Sequence, residues 1–154
     1  MKLALKYGLL ITAVVVAWIV VIRFLLDVGA HSKLNVIGPI LFNITTIVAI
    51  LLGMRARKTE LDGDLSFKEG LKTGMGISLV YAISACLFFI IEFVVAGPKL
   101  LLSEAGSEGD AMWKVAAFAY GGLFFGSLVF GLIYSTVISF FIARRLPRES
   151  SEII

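Results

Sequence analysis

Apolar residues in this chain come in long runs and do not alternate with polar ones. Four runs stand out, at about 3–26, 35–54, 71–96 and 115–143, separated by short polar or charged stretches. A helix needs about 20 residues to cross about 30 Å of hydrocarbon, and a tilted barrel strand only about 9–11. Each run has the helical length, and in lipid a helix satisfies its own backbone groups. Pro39 falls near the start of the second run, where a missing N–H does no harm. Pro98 and Pro147 fall just past the third and fourth runs, as stop signals do. The pattern predicts an all-α integral membrane four-helix bundle, built as two antiparallel hairpins in a single transmembrane domain over 1–154. The first run imitates a secretory signal, with Lys2 and Lys6 ahead of it and "VGA" after it. It continues through Arg23 into Phe24, Leu25 and Leu26, however, and is expected to be a retained first span.

Composition agrees. Of the 154 residues, 59% are hydrophobic, against about 45–50% for a soluble domain. The charge adds a direction. Lys2, Lys6, Arg55, Arg57, Lys58, Lys68, Lys72, Arg144, Arg145 and Arg148 fall on one side of the expected membrane, and Arg23, Lys33, Lys99 and Lys114 on the other. The positive-inside rule then places both termini and the middle loop in the cytoplasm. The mild basic excess suits topology and anionic headgroups, so the expected partner is the bilayer and not nucleic acid. The outer loop after the third span carries Glu104, Glu108 and Asp110. It ends at Trp113, an interface anchor, and its "KLLLSEA" portion fits a short helix lying on the surface.

Catalytic chemistry is poorly supplied. His31 is the single histidine, in a short outer loop, and Cys86 the single cysteine, so no zinc set or disulfide can be assembled within the chain. There is no nucleophile elbow, and "GLKTGMG" lacks the spacing of a phosphate loop. The chain is therefore expected to be non-enzymatic and to carry no cofactor or metal. Two intramembrane features remain. Glu92 lies inside the third span towards its outer end, where a carboxylate is either a proton or cation site or the partner of a cation. Arg23, at matching depth, is the candidate cation, and Asp27 is a second partner for it one helical turn away. Asn43, Thr45 and Thr46 cluster in the second span, either along a polar path or hydrogen-bonded between helices and to their own backbone.

The fourth span places Ser127, Gly131, Ser135 and Ser139 four residues apart, and Gly122 and Gly126 add a GxxxG. Small residues on one helical face let another backbone approach, so this face is expected to be a helix-packing interface, within the fold or towards a partner. The stretch "DGDLSFKEGLKTGMG", 62–76, is the most polar of the chain. Ser66 and Glu69 have the spacing of a capping box, in which the Ser66 oxygen takes the Glu69 N–H and the Glu69 side chain returns to the Ser66 N–H. Lys68 and Lys72 are spaced to reach lipid phosphates beside that cap.

The segment "LSFKEGLKTG", with its match at Ser66, Phe67, Glu69, Leu71, Lys72 and Gly74, resembles the entry to the third span in a bacterial family of small four-helix membrane proteins catalogued as a domain of unknown function. Gly70 replaces the commoner alanine. The lysine-started first span, the basic middle loop and the Gly/Ser-rich fourth span extend the likeness along the chain. The resemblance implies this architecture and a bacterial inner membrane, and no activity. The expected role is an accessory or assembly subunit of a larger membrane complex. The alternative is a small transporter or channel using Glu92 and the Asn43–Thr46 cluster.

Overall fold

A computed structural model of the chain describes residues 1–22, 37–97 and 112–143. It contains four helices: α1 (Lys2–Val20), α2 (Ile37–Glu60), α3 (Phe67–Ala96) and α4 (Met112–Ile142). All four are long and apolar enough to cross a membrane, and no strand occurs among the described residues. Arg23, Asp27, His31, the acidic outer loop and the basic tail from Arg144 lie outside the described residues.

The helix ends follow local chemistry more than hydrophobicity. The apolar run of α2 stops near Met54, yet the helix continues to Glu60. "RARKTE" is made largely of good helix formers, and Arg57 Nη1 bonds Glu60 Oε2 at 2.9 Å one turn on. The helix then closes through a left-handed turn. The Gly63 N–H donates to Lys58 O at 2.9 Å and the Asp62 N–H to Thr59 O at 3.3 Å. This is the paired hydrogen-bond pattern of a Schellman motif, with Asp62 at φ 52° where glycine is usual. Three residues later Ser66 caps α3: its Oγ accepts the Glu69 N–H at 3.2 Å. The same hydroxyl donates to Glu69 Oε2 at 3.3 Å. The carboxylate thus meets the Ser66 hydroxyl, where the capping-box spacing predicted the Ser66 N–H.

In cross-section α3 is the hub. It packs on α4 most extensively, then on α1, and touches α2 across the short diagonal; α2 also packs on α1 and α4. The backbones of α1 and α4 do not approach each other, so these two helices occupy opposite corners. Lys58 Nζ donates to Ile142 O at 3.1 Å, which ties the end of α2 to the end of α4. Leu65 is buried beside Gly70, against which Ser139 also packs, and Tyr7 lies against Gly53. The start of α1, the α2–α3 turn and the end of α4 therefore share one end of the bundle, here called the basic end. The core (Ile11, Ala49, Ile50, Met54, Leu65, Ile77, Tyr81 and Ala85) sits towards that end.

Candidate functional site

The small residues of α3 form two seams on two faces. Towards α4, Gly70, Gly74 and Ser78 meet Ser139, Ser135 and Gly131 in antiparallel order. A methyl group at Gly70 would stand 2.6 Å from Ser139 Oγ. At Gly74 it would overlap Ser135, and at Gly131 it would overlap Ser78. Towards α1, Gly76 lies beside Ala4, Gly8 against Val80 and the Ile77 carbonyl, and the hydroxyls of Thr12 and Ser84 are 2.5 Å apart. Both helices advance by fours in the same direction here, so this seam is parallel. Membrane helices associate through such close packing, because lipid offers no hydrophobic force to drive them together.

Several hydroxyls inside the bundle are committed to backbone. Ser78 donates to Gly74 O at 3.1 Å, Ser84 to Val80 O at 2.8 Å and Ser127 to Leu123 O at 2.6 Å. Ser139 donates to Met54 Sδ at 3.6 Å. Asn43 donates to Pro39 O at 2.7 Å and accepts from Tyr134 Oη, which joins α2 to α4. Thr46, one turn along, is 2% exposed and its Oγ1 has no hydrogen-bond partner among the described residues; the same holds for Ser135 Oγ. Thr45 is half-buried. Glu92 is half-buried on the penultimate turn of α3, and its suggested partner Arg23 lies outside the described residues. At the basic end Lys68 and Lys72 are both exposed beside the Ser66–Glu69 cap.

Gly122 and Gly126 do not belong to the seam. A methyl group at either would meet nothing within 4 Å among the described residues. They instead border a cavity of about 440 Å³ at the far end of the bundle, walled by all four helices. Trp18, Phe42, Tyr81, Phe89 and Phe130 supply aromatic wall, and the rings of Phe42 and Tyr81 pack at a tilt of 30° with centroids 5.1 Å apart. Sequence reasoning grouped Gly122 and Gly126 with Ser127, Gly131, Ser135 and Ser139 as a helix-packing interface within the fold or towards a partner; among the described residues only Gly131, Ser135 and Ser139 of this group meet α3 in the seam. The spacing of Gly70, Gly74 and Ser78 was the available signal for the other half of the α3–α4 seam.

Among the described residues, no group of three or more His, Cys, Asp or Glu side chains is placed to hold a metal ion. No curated protein and no solved structure matches the chain. A family profile does match, over residues 6–144, and that range takes in the α3–α4 seam, the α1–α3 seam apart from Ala4, the α2–α3 turn and the cavity. The chain belongs to the family described as Protein of unknown function (DUF4199).

Proposed function

We propose that this small multi-pass membrane protein is non-enzymatic and serves as an accessory or assembly subunit of a larger membrane complex. The observation that carries the reading is the use made of its intramembrane polar groups. The hydroxyls of Ser78, Ser84 and Ser127 close onto carbonyls of their own helices, and Asn43 and Tyr134 close onto each other. Groups held this way fix helix packing and are withdrawn from a conducting path, with Thr46 and Ser135 the buried hydroxyls that have no partner among the described residues. The outward faces meanwhile present large apolar side chains, such as Phe118 at 82% exposed, Phe125 at 67% and Phe141 at 68% on α4, which suit lipid or a neighbouring subunit. Lys2, Lys6, Arg55, Arg57, Lys58, Lys68 and Lys72 gather at the basic end. That distribution supports both termini lying inside, and the bacterial inner membrane is proposed from the family resemblance.

The test is affinity purification in mild detergent followed by native electrophoresis. A defined membrane partner should co-migrate with the protein. A strictly monomeric species with no companion would overturn the reading. The transport alternative draws on the polar Asn43–Tyr134 contact inside the bundle and on Glu92. Solute flux into proteoliposomes that falls on Glu92→Gln substitution would favour it over the subunit role.

A further inference from the structure

The far-end cavity has the size and lining of a ligand site. Small-molecule pockets are typically about 300–1,000 Å³, mostly apolar, with a few polar groups that fix orientation. This one is about 440 Å³. Its walls are aromatic and aliphatic, and two hydrogen-bond donors stand in them without an acceptor. Tyr81 is only 4% exposed and lines the cavity, and its hydroxyl makes no hydrogen bond among the described residues. Trp18 also lines it. Its indole Nε1 lies against Gly38, 3.3 Å from where a side chain would begin, and likewise has no acceptor among them. The third polar side chain, Ser127, already donates to Leu123 O. A hydroxyl and an indole N–H set in an apolar, open-sided chamber usually find a partner, so two vacant donors there ask for an acceptor on an apolar body. Gly122 is exposed at the rim, which leaves the wall open to the side there.

We infer that this cavity binds a membrane-soluble amphiphile, an apolar chain or ring bearing a carbonyl that accepts hydrogen bonds from Tyr81 and Trp18. A transmembrane helix of a partner does not meet this chemistry, because its backbone carbonyls are already bonded within the helix and leave Tyr81 and Trp18 without an acceptor. The absence of side chains at Gly122 and Gly126 makes the room: each methyl added there would enter open space. The inference goes beyond the subunit role and does not depend on it.

Trp18 is also the reporter. In a Trp113→Phe background it is the one remaining tryptophan, and Trp113 itself is 69% exposed and outside the cavity wall. The purified protein in detergent micelles is titrated with a decyl-substituted benzoquinone and, separately, with a short-chain phosphatidylcholine brominated on its acyl chains. Binding gives saturable quenching of Trp18, while simple partition gives quenching without saturation. Saturation by the quinone alone assigns a ring carbonyl, by the lipid alone an ester carbonyl, and by both the shared chemistry. Tyr81→Phe should weaken the saturable component about 2- to 12-fold, the loss of one hydrogen bond. Gly126→Leu, which fills the chamber, should remove it, and Gly126→Ala should leave it in place as the folding control. Unsaturable quenching by both probes overturns the proposal. So does saturation that neither Tyr81→Phe nor Gly126→Leu alters. Loss of a co-purifying membrane protein in Gly126→Leu, with no probe binding in the parent, overturns it in favour of a protein partner.

Discussion

The two ends of the bundle are built from the same kinds of residue and come out opposite. At the basic end, glycines and serines of α3 and α4 face one another so closely that no methyl can be added at Gly74 or Gly131 without overlap. At the far end, Gly122 and Gly126 of the same α4 face nothing within 4 Å among the described residues. A small residue is thus a permission and not an instruction. It becomes a helix contact where the partner offers a matching small face, as Gly70, Gly74 and Ser78 do, and a void where the neighbours are aromatic rings that hold the helices apart. The lateral position of α3 decides which outcome applies, because α1 and α4 lie on opposite corners and cannot close the far end between them.

The contrast breaks most sharply at Gly74. Gly74→Ala should destabilise the protein by about 1–3 kcal/mol, the usual cost of overpacking a filled core, seen as a lower midpoint for thermal unfolding in detergent. Adding Ser135→Ala should restore part of the loss, because the closest overlap is with the Ser135 hydroxyl, while Met54 and the Ser135 Cβ remain close; an additive double mutant would mean the seam is looser than described. Next in size, Ser66→Ala removes the N-cap of α3 and should cost about 0.5–2 kcal/mol in the same assay. An unchanged midpoint would detach the cap from the stability of the basic end. At the far end, Gly122→Ala should raise stability, by up to about 0.8–1.0 kcal/mol, since it gains helix propensity and meets no obstacle. A fall would show that the open space is occupied. The smallest effect is expected at Lys58→Ala, which frees the Ile142 carbonyl at the end of α4. A loss of about 0.3–1 kcal/mol, shrinking in high salt, is what a cation at a helix C-terminus contributes.

How much of this was legible beforehand depends on whether a feature is local. The four spans follow from length and apolar content, which lipid enforces residue by residue. The start of α3 follows from Ser66 and Glu69, which interact across a single turn. The overrun of α2 was missed because a hydropathy run ends at Met54, while helix propensity and the Arg57–Glu60 pair carry the backbone to Glu60. The seams were half legible. The four-residue spacing in α4 is plain, but its counterpart in α3 is a property of two faces meeting, and the parallel contact of Ala4, Gly8 and Thr12 with α3 has no signature within either helix alone. The cavity was not legible at all. A void belongs to no residue, and Gly122 and Gly126 look identical in sequence whether they touch a helix or leave room for something else.

The two seams of α3 have a mechanical consequence. Gly74, facing α4, and Gly76, facing α1, are two residues apart, which at 3.6 residues per turn places them about 200° around the helix. A rotation of α3 by one residue would swing both glycine faces out of register together and bring larger side chains into each. The helix is held in azimuth from two sides, like a key with wards on both edges. Relative motion is then left to the outer corners, where α1 and α4 diverge, and a swing of either one alters the width of the aromatic chamber while the basic end stays closed.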